Sequence, residues 1–244
     1  MNMRSIGLIG GLSWESTALY YQTINREVGR RLGGLRSASI TIHSLDFEPI
    51  SALQKAGDWA AMAGLMGRAG RRLAEGGAQC VLIGSNTMHR VADAVQAEAG
   101  IPLLHIADAL AAAILATPVR TVGLLGTRMT MELPFYVEHL ARHGIRCITP
   151  DEAQREAIHR IIFGELFLGQ VRPASRERLA AIVDSLVQRG AQGMVLGCTE
   201  LPMIVRPEDS PVPLFDTTRL HALAAVDFSL QGVMPAASPA GAVA

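Results

Sequence analysis

Two side chains able to carry a proton stand at matching places in a stretch that the chain contains twice. The first copy runs Gly77-Ala78-Gln79-Cys80-Val81-Leu82-Ile83-Gly84-Ser85-Asn86-Thr87, and the second Gly190-Ala191-Gln192-Gly193-Met194-Val195-Leu196-Gly197-Cys198-Thr199-Glu200. At an offset of 113 residues Ser85 falls opposite Cys198. Each ends an apolar run and is followed by polar residues. A thiol or hydroxyl there, beside donors for an anion, could move a proton at a carbon next to a carboxylate. Cys198 is the candidate base, because a helix N-terminus after the strand would lower its thiol pKa. Asn86, Thr87 and Thr199 are candidate donors to an acid substrate, through backbone N–H groups left open at a helix start.

Other chemistries lack their equipment. Pyridoxal phosphate requires a Schiff-base lysine. Lys55 is the only lysine among 22 lysines and arginines and lies in a polar stretch, so pyridoxal phosphate is not expected. The turn Gly7-Leu8-Ile9-Gly10-Gly11 fits neither G-x-G-x-x-G nor a P-loop. The three cysteines have no metal-ligand spacing, and they suit a reducing cytoplasm. His139 and His143 lie four apart, as helix ligands for a metal would, but show no third partner in sequence; they read as a solvated face, and no metal is expected. Cys80 and Cys147 read as structural. Cys80 precedes Ser85 by an odd number of residues, which puts it on the other pleat face. A net charge of +0 gives no electrostatic reason to expect nucleic acid or an anionic membrane. No apolar run approaches the roughly 18–20 residues of a spanning helix, and no signal-peptide core precedes Ile6.

The elements that would position Ser85 and Cys198 alternate between strand and helix. Residues 4–11 read as a buried parallel strand ending in glycine, residues 39–44 as a second, the first repeat copy as a third and 101–105 as a fourth. The pattern then restarts: Arg120 to Thr127 echoes residues 4–11 at an offset of 116, and Val212 to Asp216 echoes 101–105 at 111. Three segments at nearly constant offsets imply duplicated halves. The expected fold class is α/β, with two pseudo-symmetric Rossmann-like domains, parallel sheets and an active site in the interdomain cleft beyond the strands' carboxyl ends. The expected division is 1–116 plus 213–232 for the first half and 117–212 for the second, with a disordered small-residue tail over 233–244.

These residues make the sequence similar to the cofactor-independent aspartate/glutamate racemase superfamily, most closely its aspartate racemase branch. The matching stretches are Gly7 to Thr17, His43 to Phe47, Asn86-Thr87-Met88-His89, Leu104 to Asp108 and Gly197-Cys198-Thr199-Glu200. The resemblance implies a two-base mechanism with one cysteine on each face of the substrate's α-carbon. Here Ser85 stands where most members carry the first cysteine. A hydroxyl can donate or relay a proton but is a very poor base. Cys198 is therefore expected to be the base, with Ser85 the donor, acting on L-aspartate or L-glutamate in preference to the D-forms. The resemblance also assigns Leu12 and Gln54 to the pocket lining and implies a homodimeric state, while Glu200 reads either as orienting Cys198 or as an acidic residue of a first helical turn. Phe167 stands where some aspartate racemases place a substrate-binding lysine. Two other readings fit a site with one cysteine: a decarboxylase of the arylmalonate type, and an amino-acid binding protein that has lost its first base.

Overall fold

A computed structural model of the chain describes residues 3–235. The described chain forms two compact units, one of residues 3–106 with His221–Pro235 and one of Ala107–Leu220.

In the first unit β1 (Ile6–Gly10) leads into α1 (Trp14–Leu32). Then come β2 (Ile40–Ser44), α2 (Phe47–Ala56), α3 (Trp59–Glu75), β3 (Cys80–Ile83) and α4 (Ala92–Ala99). The sheet is parallel with order β2-β1-β3. Every residue of β1 and β3 is buried, as expected where both faces of a sheet are covered. Alternation then sorts the side chains. Ile9, Val81 and Ile83 pack with Met62, Met66 and Leu73 of α3 and Val95 of α4. Ile6, Leu8, Cys80 and Leu82 pack instead with Tyr20, Ile24 and Val28 of α1, and with Ala222 and Val226.

The second unit takes in α5 (Ile106–Leu115) from Ala107 onward. It continues through β4 (Thr121–Gly126), α6 (Arg128–Glu132), α7 (Pro134–Arg142), β5 (Arg146–Ile148), α8 (Glu152–Gly164), α9 (Pro173–Gln188), β6 (Met194–Gly197) and β7 (Leu214–Asp216). Its parallel sheet has the order β5-β4-β6-β7. α10 (Thr217–Gln231) leaves this unit and, from His221, belongs to the first.

The repeat has a mechanical meaning. Gly7 pairs with Val81 and Gly123 with Met194, and the sequence offsets carry the first pair onto the second. Gln79 Oε1 accepts the Ser5 N–H at 3.0 Å, and the Gln79 N–H donates back to the Ser5 carbonyl at 2.8 Å. Gln192 and Thr121 repeat both bonds at 3.1 and 2.8 Å. Each Gly-Ala-Gln therefore sets the register of its strand against the central one.

Three expectations change. The chain crosses between units at 106/107 and 220/221, not at 116 and 213. Ala116-Thr117-Pro118 is a helix-ending loop inside the second unit, and residues 214–216 pair with β6, so they close the second sheet. Residues 101–105 form no full strand: Leu103 makes a single parallel bridge to Val81, and its own N–H is taken by Gln96 Oε1 at 2.9 Å. Most of the tail expected to be disordered, residues 236–244, lies outside the described residues.

Candidate active site

β1 ends in Gly10-Gly11, and the turn after it needs glycine. Gly11 has φ 76°, and a side chain there would run into the Leu45 backbone carbonyl. Its N–H donates to Thr17 Oγ1 at 2.9 Å, while Thr17 donates to the Ser13 carbonyl at 3.1 Å. Ser13 caps α1 by accepting the Ser16 N–H. The Ser-Trp-Glu-Ser-Thr stretch thus fixes the turn that holds Leu12, which is buried in the cluster around Ile9 and Ile83. Gln54 is half-buried in the last turn of α2.

β3 delivers Ser85, half-buried, with Asn86 and Thr87 buried behind it. A 3-10 turn, Thr87–Val91, comes next, before α4. Asn86 begins that turn without a side-chain cap. His89, also in the turn, reaches back from a buried position: its Nδ1 lies 2.7 Å from the Ser85 carbonyl. In sequence His89 stands within a matching stretch but has no task of its own. The i,i+4 spacing from Ser85 is the signal that could have found it.

β6 delivers Cys198, which is buried, with Thr199 half-buried and Glu200 buried. The Cys198 thiol donates to Glu200 Oε2 at 3.0 Å, and the Thr199 hydroxyl donates to the same oxygen at 2.6 Å. The expected depressed thiol pKa is overturned. Burial pushes the Cys198 thiol well above its ordinary value, and the Glu200 charge and hydrogen bond push it further the same way. Hydrogen bonds from the Glu200 and Thr199 backbone pull the thiol the other way but are outweighed. After the strand come two short 3-10 turns, Leu201–Met203 and Pro207–Asp209. Pro207 then forces Arg206 into extended backbone, with φ −110° and ψ 162°. This segment offers no α-helix N-terminus to favour a thiolate.

Elsewhere, burial raises the Cys80 and Cys147 thiols to about 12, which suits structural cysteines. His139 and His143 are not a solvated face. Both place Nε2 against Asp108 Oδ1, at 2.6 and 3.0 Å, with side chains 15% and 6% exposed. His221 is fully buried between the Tyr20 hydroxyl, 2.8 Å from Nδ1, and the Leu104 carbonyl, 2.7 Å from Nε2. No sequence motif marks it. Among the described residues no helix is long and apolar enough to cross a membrane.

An α/β chain with two parallel sheets, bearing a thiol–carboxylate pair at one strand end and a hydroxyl at the matching one, has the parts of a proton-transfer enzyme. The chain belongs to the Asp/Glu/hydantoin racemase family, whose profile matches residues 9–225. A solved structure from Yersinia pestis, itself only a candidate Asp/Glu racemase, is 48% identical; it matches over 94% of this chain and 100% of its own, with a TM-score of 0.90. An aspartate racemase homologue from Pyrococcus horikoshii is 33% identical over 93% and 99%, with a TM-score of 0.81. The aspartate racemase of Picrophilus torridus, 17% identical over 93% and 94% with a TM-score of 0.74, shares the fold. The chain is a racemase-type enzyme.

Proposed function

We propose that the enzyme racemises a small acidic amino acid of the aspartate/glutamate type, acting on the L-enantiomer through Cys198 and on the opposite face of the α-carbon through Ser85. The observation that carries this is the buried thiol donating to Glu200 Oε2 at 3.0 Å. A thiol whose proton already points at a carboxylate can become a thiolate without a net change of charge, the proton passing to Glu200. This offsets the desolvation that otherwise holds the thiol protonated. The thiolate then takes the α-proton of the L-substrate, and the C–H electron pair stays on the carbon, delocalised into the carboxylate. Ser85 gives its hydroxyl proton to the other face while taking one from water, so no alkoxide accumulates. The hydroxide left in solvent is neutralised by the proton held on Glu200, which restores thiol and carboxylate.

Asn86, Thr87 and Thr199 are the proposed donors to the substrate carboxylate, with Leu12 and Gln54 along the pocket. The mechanism uses protein side chains and water. Enantiomers are equal in free energy, so kcat/KM for full racemisation must match in both directions. The L-preference is read in exchange instead. In D₂O, proton NMR should show faster α-deuteration of L-Asp than of D-Asp, and Cys198→Ala should abolish it. Faster exchange of D-Asp, or undiminished exchange in Cys198→Ala, refutes the assignment. Ser85 in the place of a second thiol also fits one-sided protonation after decarboxylation. Release of CO₂ from methylphenylmalonate without amino-acid exchange would favour that reading.

A further inference from the structure

The loops that carry Ser85 and Cys198 descend from one repeat but are held differently. The Cys198 carbonyl accepts a backbone donor, the Leu201 N–H, at 3.2 Å. The Ser85 carbonyl lies 2.7 Å from a side-chain nitrogen, His89 Nδ1. At the offset that equates Ser85 with Cys198, His89 falls on Pro202, which has no such donor to give. The imidazole is therefore a device of the Ser85 loop and not part of the duplicated scaffold.

Its chemistry is fixed by its neighbours. The Ile106 N–H donates to His89 Nε2 at 3.2 Å, so that nitrogen carries the lone pair and the hydrogen sits on Nδ1. Nδ1–H then donates to the Ser85 carbonyl, a geometry only this tautomer satisfies. His105 and His221 stand edge-on to the ring, with centroids 4.6 and 5.5 Å away, and the side chain is 3% exposed. The ring can neither turn nor move aside without leaving a buried N–H and a partly buried carbonyl unmet.

The geometry points to His89 as a positioning residue for the Ser85 side of the reaction alone. By gripping the Ser85 carbonyl it sets the backbone from which the hydroxyl is aimed at the α-carbon. In this proposal it acts through the Ser85 backbone. This rests on the function proposed above, in which proton removal by Cys198 and delivery by Ser85 are separate events. Loss of the grip must therefore damage inversion far more than exchange on the L-side. Misplacement of a reacting group by about 1 Å costs on the order of 100-fold.

The test measures two rates for each variant in D₂O: α-deuteration of L-Asp with retained configuration, and formation of D-Asp. His89→Ala and His89→Gln should slow D-Asp formation by about 10- to 100-fold while L-Asp exchange stays within about twofold of the parent. His89→Asn, whose amide NH₂ can occupy the Nδ1 position, should recover most of the inversion; His89→Gln reaches only the Nε2 position. Circular dichroism melts select the variants that fold. Equal loss of exchange and inversion in folded His89→Ala or His89→Gln overturns the inference, as does folded His89→Asn no better than His89→Gln. The parent and Cys198→Ala report on the proposed function separately: a parent without exchange, or exchange that survives in Cys198→Ala, removes that reading and this inference with it.

Discussion

Acidification should unfold the first unit through one side chain, His221. Its Nε2 faces the Leu104 carbonyl at 2.7 Å and so carries the hydrogen, which leaves Nδ1 to accept from the Tyr20 hydroxyl at 2.8 Å. The His89 ring is the other group that faces it, edge-on at 5.5 Å. Burial in this neutral setting lowers the His221 pKa from 6.5 to about 4. Between those values the unfolded chain binds a proton that the folded one refuses, so the unfolded state binds more protons and stability falls as pH falls. At about 1.4 kcal/mol per pH unit, the interval from 6.5 to about 4 amounts to about 3 kcal/mol. A domain's whole stability is about 5–15 kcal/mol, so this is a large share. Other groups titrate in the same range, and a difference measurement isolates the histidine. Urea unfolding of the parent and of His221→Gln should be compared at pH 7, 6, 5 and 4.5. The variant starts less stable, because its amide cannot serve both partners, and the gap should close by about 2–3 kcal/mol as pH falls to 4.5. A gap that stays constant with pH would refute the reasoning, since His221 would then titrate alike in both states.

Glu200→Gln should separate thiol reactivity from catalysis. Removing the charge beside Sγ lets the Cys198 pKa fall, so iodoacetamide should label the thiol faster at pH 8 while racemisation drops. Loss of a charged hydrogen-bond partner, about 1.5–3 kcal/mol, corresponds to roughly 10- to 150-fold in kcat/KM. If both rates move together, Glu200 is not the thiol's proton acceptor. At high pH the three cysteines act as one alkaline liability, because Cys80 and Cys147 are raised to about 12 and Cys198 is raised well above its ordinary value. Above pH 9 the unfolded chain loses thiol protons that the folded chain keeps, so stability should fall by about 4 kcal/mol per pH unit with all three contributing; denaturant midpoints unchanged from pH 8.5 to 10 would contradict this. Gly11→Ala combines positive-φ strain with a collision against the Leu45 carbonyl and should cost about 2–5 kcal/mol. Gly100→Ala, at φ 67° with nothing within 4 Å, should cost only about 1–2 kcal/mol; equal losses in thermal melts would show that the collision adds nothing.

The duplication is legible in sequence because its copies do identical backbone work. Gln79 and Gln192 each bind the first amide of a central strand, and a job set by backbone spacing leaves a spacing in the sequence. The segments after these strands are not legible in the same way. A strand-then-helix pattern gives both Ser85 and Cys198 a helix N-terminus, but a 3-10 turn follows each instead, Thr87–Val91 after Ser85 and Leu201–Met203 after Cys198. The thiol's environment is reversed as a result. Glu200 is visible two residues downstream, but whether its carboxylate turns back onto Sγ depends on turn geometry that composition does not encode. The unit boundaries differ for a related reason. Pro118 marks where a helix stops, whereas a unit boundary is set by which sheet the flanking residues pack against, and β7 shows that only through its pairing with β6.

The departures from expectation at the site fall where the two copies stop being alike. From Gly77 to Gly84 and from Gly190 to Gly197 the copies share a frame. At Ser85 and Cys198 they part, one loop gripped by His89 and the other carrying a thiol against Glu200. A duplicated scaffold offers two equivalent strand ends, and identical chemistry at both would give two equal bases. Under the proposed function, a hydroxyl at one and a buried thiol with its own proton acceptor at the other divide the labour instead: one end removes a proton and the other supplies it. Ser85→Cys alone should then not create a symmetric enzyme, because the loop around position 85 has no counterpart to Glu200. Exchange of D-Asp in that variant should rise above the parent, yet remain below L-Asp exchange. A Ser85→Cys enzyme that exchanges both enantiomers equally well would show that the carboxylate beside Cys198 is dispensable for making a base.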